Sequence, residues 1–329
     1  MYDTTCLLPA VRQFRSSCRK TGRTGAAALL CAALLLTGGS PAFAQNNDDG
    51  IQASVTEHTV TTADGWQISL TYYQSTLGKK ASVVVLLHGE GENRLVWQNG
   101  FAQQLQKMGY CVAAVDLRRH GQSANAPGET GAAAASRGSL SANDYQAMAA
   151  SDLEAVKDFL LAQHQKGLLN VRKMAIVASE MSAPVAISYA TLDWAKRPYP
   201  DAADLASRTP RGQDVRAIAL LSPDESLPGL PTGRALLTLR NPAFNIAFLL
   251  CYGSKDRKAG REVKQIYTKL TGIAGNDDRM YSRPFANQLQ GTKLLGRGLK
   301  VEETIIGFLQ KHVAQQDIPW QDRRSRLEQ

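Results

Sequence analysis

Charged side chains follow several apolar runs of this sequence, at the points where those runs end. Glu180 comes directly after AIVAS, and Asp256 comes shortly after AFLLCYG. A carboxylate can attack carbon as a nucleophile or take a proton from water as a general base. If the apolar runs are strands of one parallel sheet, their carboxyl ends lie where such sheets place their chemistry. The spacing therefore predicts a site that carries two carboxylates at one edge of a sheet.

Predicted strands and predicted helices alternate along the chain, and they position these carboxylates. Two alternating, β-branched runs predict a hairpin, namely EHTVTT and WQISLTYYQ around a turn at Ala63-Asp64-Gly65. Continuous apolar runs predict strands that are buried on both faces, namely SVVVLLHG, YCVAAVDL, KMAIVA, VRAIALLS and IAFLLCYG, with DRMYSRP as a last strand. Helical spacing is found in LVWQNGFAQQLQKMG, DYQAMAASDLEAVKDFLLAQ, PVAISYATLDWAKR and VEETIIGFLQKHV. Residues 124–141 and 199–214 are predicted to be loops. This order predicts an α/β protein with a mostly parallel sheet of about eight strands and helices on both faces.

The strand ends also resemble a known superfamily, the α/β hydrolases, over roughly residues 54–313. His88-Gly89 ends the third strand, as the HG of the family's oxyanion loop does. The run DLRRHGQS, which begins at Asp116, resembles the family's D-x-R-G-x-G-x-S turn, with Arg119 where a glycine is usual. The resemblance implies the α/β-hydrolase fold with a small cap, and residues 222–242 are the expected cap.

The fifth strand end aligns without a gap on the family's G-x-S-x-G nucleophile elbow, a strained turn from strand to helix. Ala178 and Ser182 occupy its small-residue positions, and Glu180 stands where the resemblance expects the serine. Ser179 and Ser182 are the alternative hydroxyls. We expect Ser179 to point away from the site and Ser182 to be packed into the turn.

The resemblance assigns the remaining triad positions to Asp256 and Gln290. Asp256 follows the seventh strand at the position of the acid, although an aspartate there could also cap the next helix or turn. QGTKLLGRGL aligns with a stretch that reads H-G-T-x-L-L in the family, so Gln290 takes the place of the histidine. A looser alignment would place Arg297 there. The triad-equivalent residues are thus Glu180, Asp256 and Gln290.

The same resemblance implies an oxyanion hole formed by the backbone N–H groups of Glu90 and Met181, and places His88 and Gly89 against the substrate. A carboxylate at the amino terminus of a helix is favoured by the helix dipole. Glu180 could therefore accept hydrogen bonds from these N–H groups itself and fill the site.

Two functions follow from these positions. A glutamine cannot take a proton near neutral pH, which favours a catalytically lapsed hydrolase that works as a binding or scaffolding protein. The alternative is an active hydrolase of esters, amides or epoxides that uses Glu180 as nucleophile or as general base through water. An apolar cavity around Glu180 would favour the active enzyme, and a cavity filled by charged side chains would favour the lapsed one. Lys255, Arg257, Lys293 and Arg297 are the basic neighbours that we expect for the carboxylates.

The first 44 residues have the form of a signal peptide. Five basic residues precede the apolar run AAALLCAALLLT, and Ala42-Phe43-Ala44 has the small-x-small form of a cleavage site. The run is shorter than the roughly 20 residues of a transmembrane helix, and an uncleaved membrane anchor is the alternative. Cleavage predicts an exported mature domain, residues 45–329, in the periplasm or outside the cell. That domain has 33 basic and 28 acidic residues, a formal charge of +5.

The composition restricts the possible partners. No cluster of basic residues is interleaved with aromatic ones, so no nucleic acid is expected, and no membrane insertion is expected after cleavage. We expect no cofactor and no metal, and a small molecule or a protein of unknown identity as the partner.

Cys111 and Cys251 remain in the mature chain and are predicted to be buried free thiols. The basic tail QDRRSRLEQ is interpreted as a solvated end.

Overall fold

The computed structural model describes residues 50–125, 128 and 139–327. The predicted signal peptide and most of the predicted loop 124–141 lie outside this range. Eight strands form one sheet in the order β1-β2-β4-β3-β5-β6-β7-β8. The strands are β1 (Ser54–Thr61), β2 (Gln67–Gln74), β3 (Val83–Leu87), β4 (Cys111–Val115), β5 (Met174–Ser179), β6 (Val215–Leu221), β7 (Ala247–Gly253) and β8 (Met280–Phe285).

The strand directions follow the sequence pattern. β1 and β2 form the predicted antiparallel hairpin, and β2 is antiparallel to β4. All the remaining neighbours are parallel. Every residue of β3, β4 and β5 is buried, since helices cover both faces of the sheet, and the sheet separates the core into two layers. The prediction of an eight-stranded, mostly parallel α/β sheet is confirmed.

Seven α-helices connect or flank the strands in the described residues. They are α1 (Phe101–Lys107), α2 (Ala142–Ala147), α3 (Leu153–Gln165), α4 (Ser182–Ala195), α5 (Gly233–Leu239), α6 (Arg257–Thr271) and α7 (Val301–Leu309). A π-helical segment, Met148–Asp152, joins α2 to α3, and another, Gln310–Ala314, follows α7. No helix in the described part of the chain is long and apolar enough to span a bilayer.

One helical prediction needs correction, and two helices were missed. The run LVWQNGFAQQLQKMG is a 3-10 turn, Arg94–Gln98, and the separate helix α1, because Gly100 between them has a φ of 106°. A left-handed residue interrupts the helical path, and glycine takes that conformation without steric cost. Helices α5 and α6 were not predicted. In α6 the buried residues Ala259, Val263, Ile266 and Leu270 recur at helical spacing in an otherwise polar segment.

Cys111 on β4 and Cys251 on β7 are free and buried, as predicted, with three strands between them.

The prediction of a solvated tail is wrong. Arg323 is buried and forms a two-pronged ion pair with Asp214 at 2.7 and 3.0 Å, and Trp320 stacks on His164. Asp214 and Asp193 also bind the fully buried ammonium group of Lys157, at 2.7 and 2.6 Å. The tail therefore completes a buried ionic cluster.

Candidate active site

The turn between β5 and α4 has the geometry of a nucleophile elbow. Glu180 has a φ of 49°, in the left-handed region that side chains other than glycine rarely adopt. Its backbone N–H donates to Leu221 at 3.0 Å, and its carbonyl oxygen accepts from the N–H of Ala183 at 3.0 Å. These bonds, together with the buried chain on either side, hold the strained residue at the carboxyl end of the sheet. The side chain of Glu180 is thereby presented at the position that the sequence alignment assigned to it.

The two serines of the turn, Ser179 and Ser182, are both buried. Ser182 is fully buried, and its hydroxyl accepts from the N–H of Ser179 at 2.9 Å and lies 3.1 Å from the carbonyl oxygen of Leu87. Ser179 is also fully buried, and its hydroxyl lies beneath Gly291. Neither side chain lines the cavity that Glu180 faces. The expectation that Ser182 is packed into the turn is confirmed.

Asp256 and Gln290 are brought together at the ends of β7 and β8. The side-chain N–H of Gln290 donates to Oδ2 of Asp256. Oδ1 of Asp256 accepts from the backbone N–H groups of Lys258 and Ala259, at 2.9 and 3.3 Å, and so caps helix α6. The capping role and the pairing with Gln290 therefore exist in the same carboxylate.

Gln290 and Glu180 face one another across a small cavity of about 150 Å³, which we call the acidic cavity. Gly291 leaves room for the Glu180 side chain, because a Cβ at that position would lie 2.8 Å from the Glu180 carboxyl group. Arg297, the alternative to Gln290, lines a different depression beside Thr292 and Glu302. The acidic cavity is lined by Glu90, Glu180, Ser222, Pro223, Asp224, Lys258, Ala259, Glu262 and Gln290.

The backbone N–H groups of Glu90 and Met181 donate no hydrogen bond to any residue that the structure describes. They are the two donors expected for an oxyanion hole. The carboxylate of Glu180 accepts no hydrogen bond from either N–H group, and it lies against Gly89 and Gly291. A Cβ on Gly89 would stand 2.3 Å from a Glu180 oxygen, so glycine is required for this approach.

His88 does not reach the cavity with its side chain. The ring is fully buried, Nδ1 donates to the carbonyl oxygen of Gly89 at 2.7 Å, and Nε2 accepts from the N–H of Leu117 at 3.2 Å. Burial, with the neighbouring His120, lowers the pKa of His88 to about 4, so the ring is neutral. The predicted contact of His88 with substrate is therefore corrected: the ring shapes the loop that carries Gly89.

The turn DLRRHGQS has a structural role, because its side chains bind neighbouring segments. Asp116 accepts from the backbone N–H of Arg94 at 2.6 Å and from that of Gln122 at 2.8 Å, and it pairs with the Arg94 guanidinium. Arg119 has a φ of 64°, which explains why glycine is usual at this position, and it pairs with Asp144 at 3.0 Å.

The electrostatics of the cavity are dominated by carboxylates. Burial raises the pKa of Glu180, and the negative charges of Glu92 and Asp224 raise it further, against the opposing effect of Lys293 and Lys258. Of the basic neighbours expected from the sequence, Lys293 is among the charges that act most strongly on Glu180. Lys258 pairs with Asp224 at 2.8 Å.

Sequence reasoning missed several lining residues: Ser222, Asp224, Lys258 and Glu262. Ser222 and Asp224 belong to the predicted cap but were given no role there. Lys258 and Glu262 lie one turn apart on α6, so a correct assignment of that helix would have placed both on one face.

Comparisons with known proteins agree with this architecture. A family model described as the alpha/beta hydrolase fold matches residues 82–171, which include His88-Gly89 and DLRRHGQS and end before Glu180. An esterase of Pyrococcus furiosus is 15% identical, with a TM-score of 0.54, over 79% of this chain and 91% of its own. DcsB, solved in complex with its substrate analogue, is 12% identical, with a TM-score of 0.53, over 79% of this chain and 100% of its own. No curated protein sequence matches significantly. The chain has the α/β-hydrolase fold.

Proposed function

We propose that this chain is an exported α/β-hydrolase-fold protein that has lost hydrolytic activity and now binds a ligand at the former active site. The mature form consists of residues 45–329, released from the signal peptide 1–44 into the periplasm or the medium. Glu180, Asp256 and Gln290 occupy the positions of nucleophile, acid and base. The partner is a small molecule or a protein.

One observation carries this proposal: the group that hydrogen-bonds Asp256 beside Glu180 is the amide of Gln290. Acyl transfer needs a group that takes the proton of the nucleophile or of water and later returns it to the leaving group. An amide does neither near neutral pH. A Glu180 that attacked carbon would form an ester with no imidazole beside it to activate the water that releases the product.

The lining of the acidic cavity supports binding over hydrolysis of an apolar ester. Four of its nine lining residues carry carboxylates and one carries an ammonium group. An acyl chain placed there would remove water from charged groups without replacing their hydrogen bonds, which is costly. A polar or charged ligand would be accommodated without that cost.

The alternative is a hydrolase that uses Glu180 as general base, and two observations favour it. The pKa of Glu180 is raised by burial and by Glu92, which makes its carboxylate a stronger base. The N–H groups of Glu90 and Met181 are free, within the described residues, to bind an oxyanion. In this mechanism Glu180 takes a proton from water, the resulting hydroxide adds to the carbonyl carbon, and the protonated Glu180 returns its proton to the leaving group.

A turnover assay separates the two functions. The purified mature protein is compared with Glu180→Gln, which keeps the shape of the side chain and removes its charge and basicity. The substrates are an activated ester, an anilide and an epoxide, and product release is followed over time. We expect the parent to release product no faster than the variant does from any of the three substrates.

Saturable turnover by the parent that Glu180→Gln abolishes would contradict the proposal and establish Glu180 as base or nucleophile. Turnover that survives in Glu180→Gln would also contradict it, and would locate the chemistry elsewhere in the molecule.

A further inference from the structure

We infer that the acidic cavity binds a small organic cation that donates N–H bonds, such as a primary ammonium or guanidinium group. This inference rests on the proposed function, because it specifies the ligand of a site that no longer hydrolyses. It is argued from charge, from the direction of hydrogen bonding, from a buried hydroxyl and from size.

The charges that line the cavity are unbalanced. Glu90, Glu180, Asp224 and Glu262 face a single lining cation, Lys258, which is engaged with Asp224. Neither Glu90 nor Glu180 forms an ion pair with any residue in the described part of the chain. Carboxylates that line one cavity are stabilised by a positive charge placed between them.

The hydrogen-bonding direction of Gln290 adds an acceptor to the same cavity. Asp256 can only accept from the amide, so Gln290 must turn its N–H toward Asp256. The amide oxygen, Oε1, therefore makes no hydrogen bond with Asp256. Gln290 lines the cavity, so this oxygen is an acceptor at the site. A histidine in this place would offer one ring nitrogen to the nucleophile, whereas the glutamine offers an acceptor to a donor group on a ligand.

Ser222 supplies an independent indication of a ligand. The residue follows β6 with a φ of 44°, held by its N–H, which donates to Cys251 at 2.8 Å. It is 6% exposed and lines the cavity, and its hydroxyl has no hydrogen-bond partner among the described residues. Buried hydroxyl groups without a partner are uncommon and costly, and an N–H donor in the cavity would satisfy this one.

The size of the cavity restricts the cation further. Its volume of about 150 Å³ is below the roughly 300–1,000 Å³ of sites for drug-sized ligands, and larger than a single metal ion requires. Its acceptors are carboxylates, an amide oxygen and a hydroxyl, which recognise N–H donors. A quaternary ammonium lacks such donors and would leave these acceptors unpaired.

Isothermal titration of the mature protein with propylammonium chloride tests the inference, at pH 7.5 and low ionic strength. Propan-1-ol and sodium propionate have the same size and serve as neutral and anionic comparisons, and MgCl₂ and CaCl₂ test for a metal ion. We expect saturable binding of propylammonium alone. Glu180→Gln and Glu90→Gln should each weaken it about tenfold, as expected for the loss of a charged hydrogen-bond partner.

Asp277→Asn is the matched control, since Asp277 is exposed and precedes β8 at the opposite end of the sheet. It should leave the affinity unchanged. The inference is overturned if propylammonium does not bind, if the alcohol or the carboxylate binds equally well, if only the metal ions bind, or if the Glu180 and Glu90 variants bind like the parent.

The turnover assay keeps this inference separate from the proposed function. Ammonium binding together with hydrolysis would overturn the loss of activity and leave the ligand class intact. Absence of both binding and hydrolysis would overturn the ligand class and leave the loss of activity intact.

Discussion

The amide of Gln290 donates to the carboxylate of Asp256 that also caps helix α6, so one aspartate ties the loop after β8 to the start of a helix. This contact is the one that a histidine would make with the acid of a triad. It keeps the backbone at position 290 beside Glu180 although the imidazole is absent.

If the backbone has kept the shape of a working site, Glu180→Ser combined with Gln290→His should restore slow hydrolysis of p-nitrophenyl acetate. The serine would lie on the elbow, the histidine would bond Asp256, and the N–H groups of Glu90 and Met181 would bind the oxyanion. We expect the double variant to be at least about tenfold faster than either single variant, because triad residues act as a unit. Initial rates over a range of substrate concentrations measure this.

The parent and both single variants are the controls for that experiment. A double variant that is folded by circular dichroism and no faster than the parent would show that the site is not a triad with two residues exchanged.

A fluorophosphonate probe should not label the parent protein. Ser182 is bound within the turn and Ser179 is buried beneath Gly291, so neither hydroxyl is activated or accessible. Intact-mass spectrometry after incubation with the probe measures the labelled fraction. Stoichiometric label on either serine would show that this serine, and not Glu180, occupies the nucleophile position of the elbow.

Replacement of Lys157 by methionine should destabilise the fold by about 3–5 kcal/mol, because Asp193 and Asp214 would remain buried with a cation missing. Urea denaturation followed by circular dichroism gives the change in the free energy of unfolding. Lys166→Met, at an exposed position next to the same helix, should change that free energy by about 0.5 kcal/mol or less. Equal effects of the two substitutions would mean that the buried cluster contributes little.

Stability should fall as the pH is lowered from about 6.5 to about 4, in part because of His88. The pKa of His88 is about 4 in the folded protein and 6.5 without the fold, so the unfolded chain binds more protons across this interval. The loss attributable to His88 is at most about 3 kcal/mol. His88→Gln should give a shallower dependence of the unfolding free energy on pH than the parent does. Parallel curves for the two proteins would contradict the assignment of a neutral, buried ring.

When the full chain is produced in a bacterial host, we expect the exported protein to begin at Gln45. Mass spectrometry of periplasmic or secreted material measures its amino terminus. Ala44→Arg should block cleavage, since the peptidase requires a small residue at that position. Export with Met1 retained would support the uncleaved anchor instead.

The sequence predicted the sheet well because its strands are buried on both faces and therefore read as uninterrupted apolar runs. The elbow was located for a similar reason, since Ala178 and Ser182 are small where the turn must close. The helices were harder to predict. Helix α6 buries only a narrow stripe of residues that ends at Leu270, in a segment that otherwise appears polar.

The rest of the site could not be read from local patterns. Asp224, Lys258 and Glu262 reach the cavity from the cap and from α6, so their proximity to Glu180 depends on how two distant segments pack. The absence of a hydrogen bond between Glu180 and the N–H of Met181 depends likewise on the space that Gly89 and Gly291 leave for its carboxylate.

The ion pair between Arg323 and Asp214 links residues 109 positions apart. Closing so long a loop costs chain entropy before the ion pair can stabilise the fold. We therefore expect this contact to form late in folding. In a chain synthesised from its amino end, Asp214 emerges long before its arginine partner. Until residues near 323 dock, Lys157 alone balances two buried carboxylates. The final segment therefore completes this buried cluster, and a protease that removes it early would leave Asp193 and Asp214 paired with Lys157 but without Arg323.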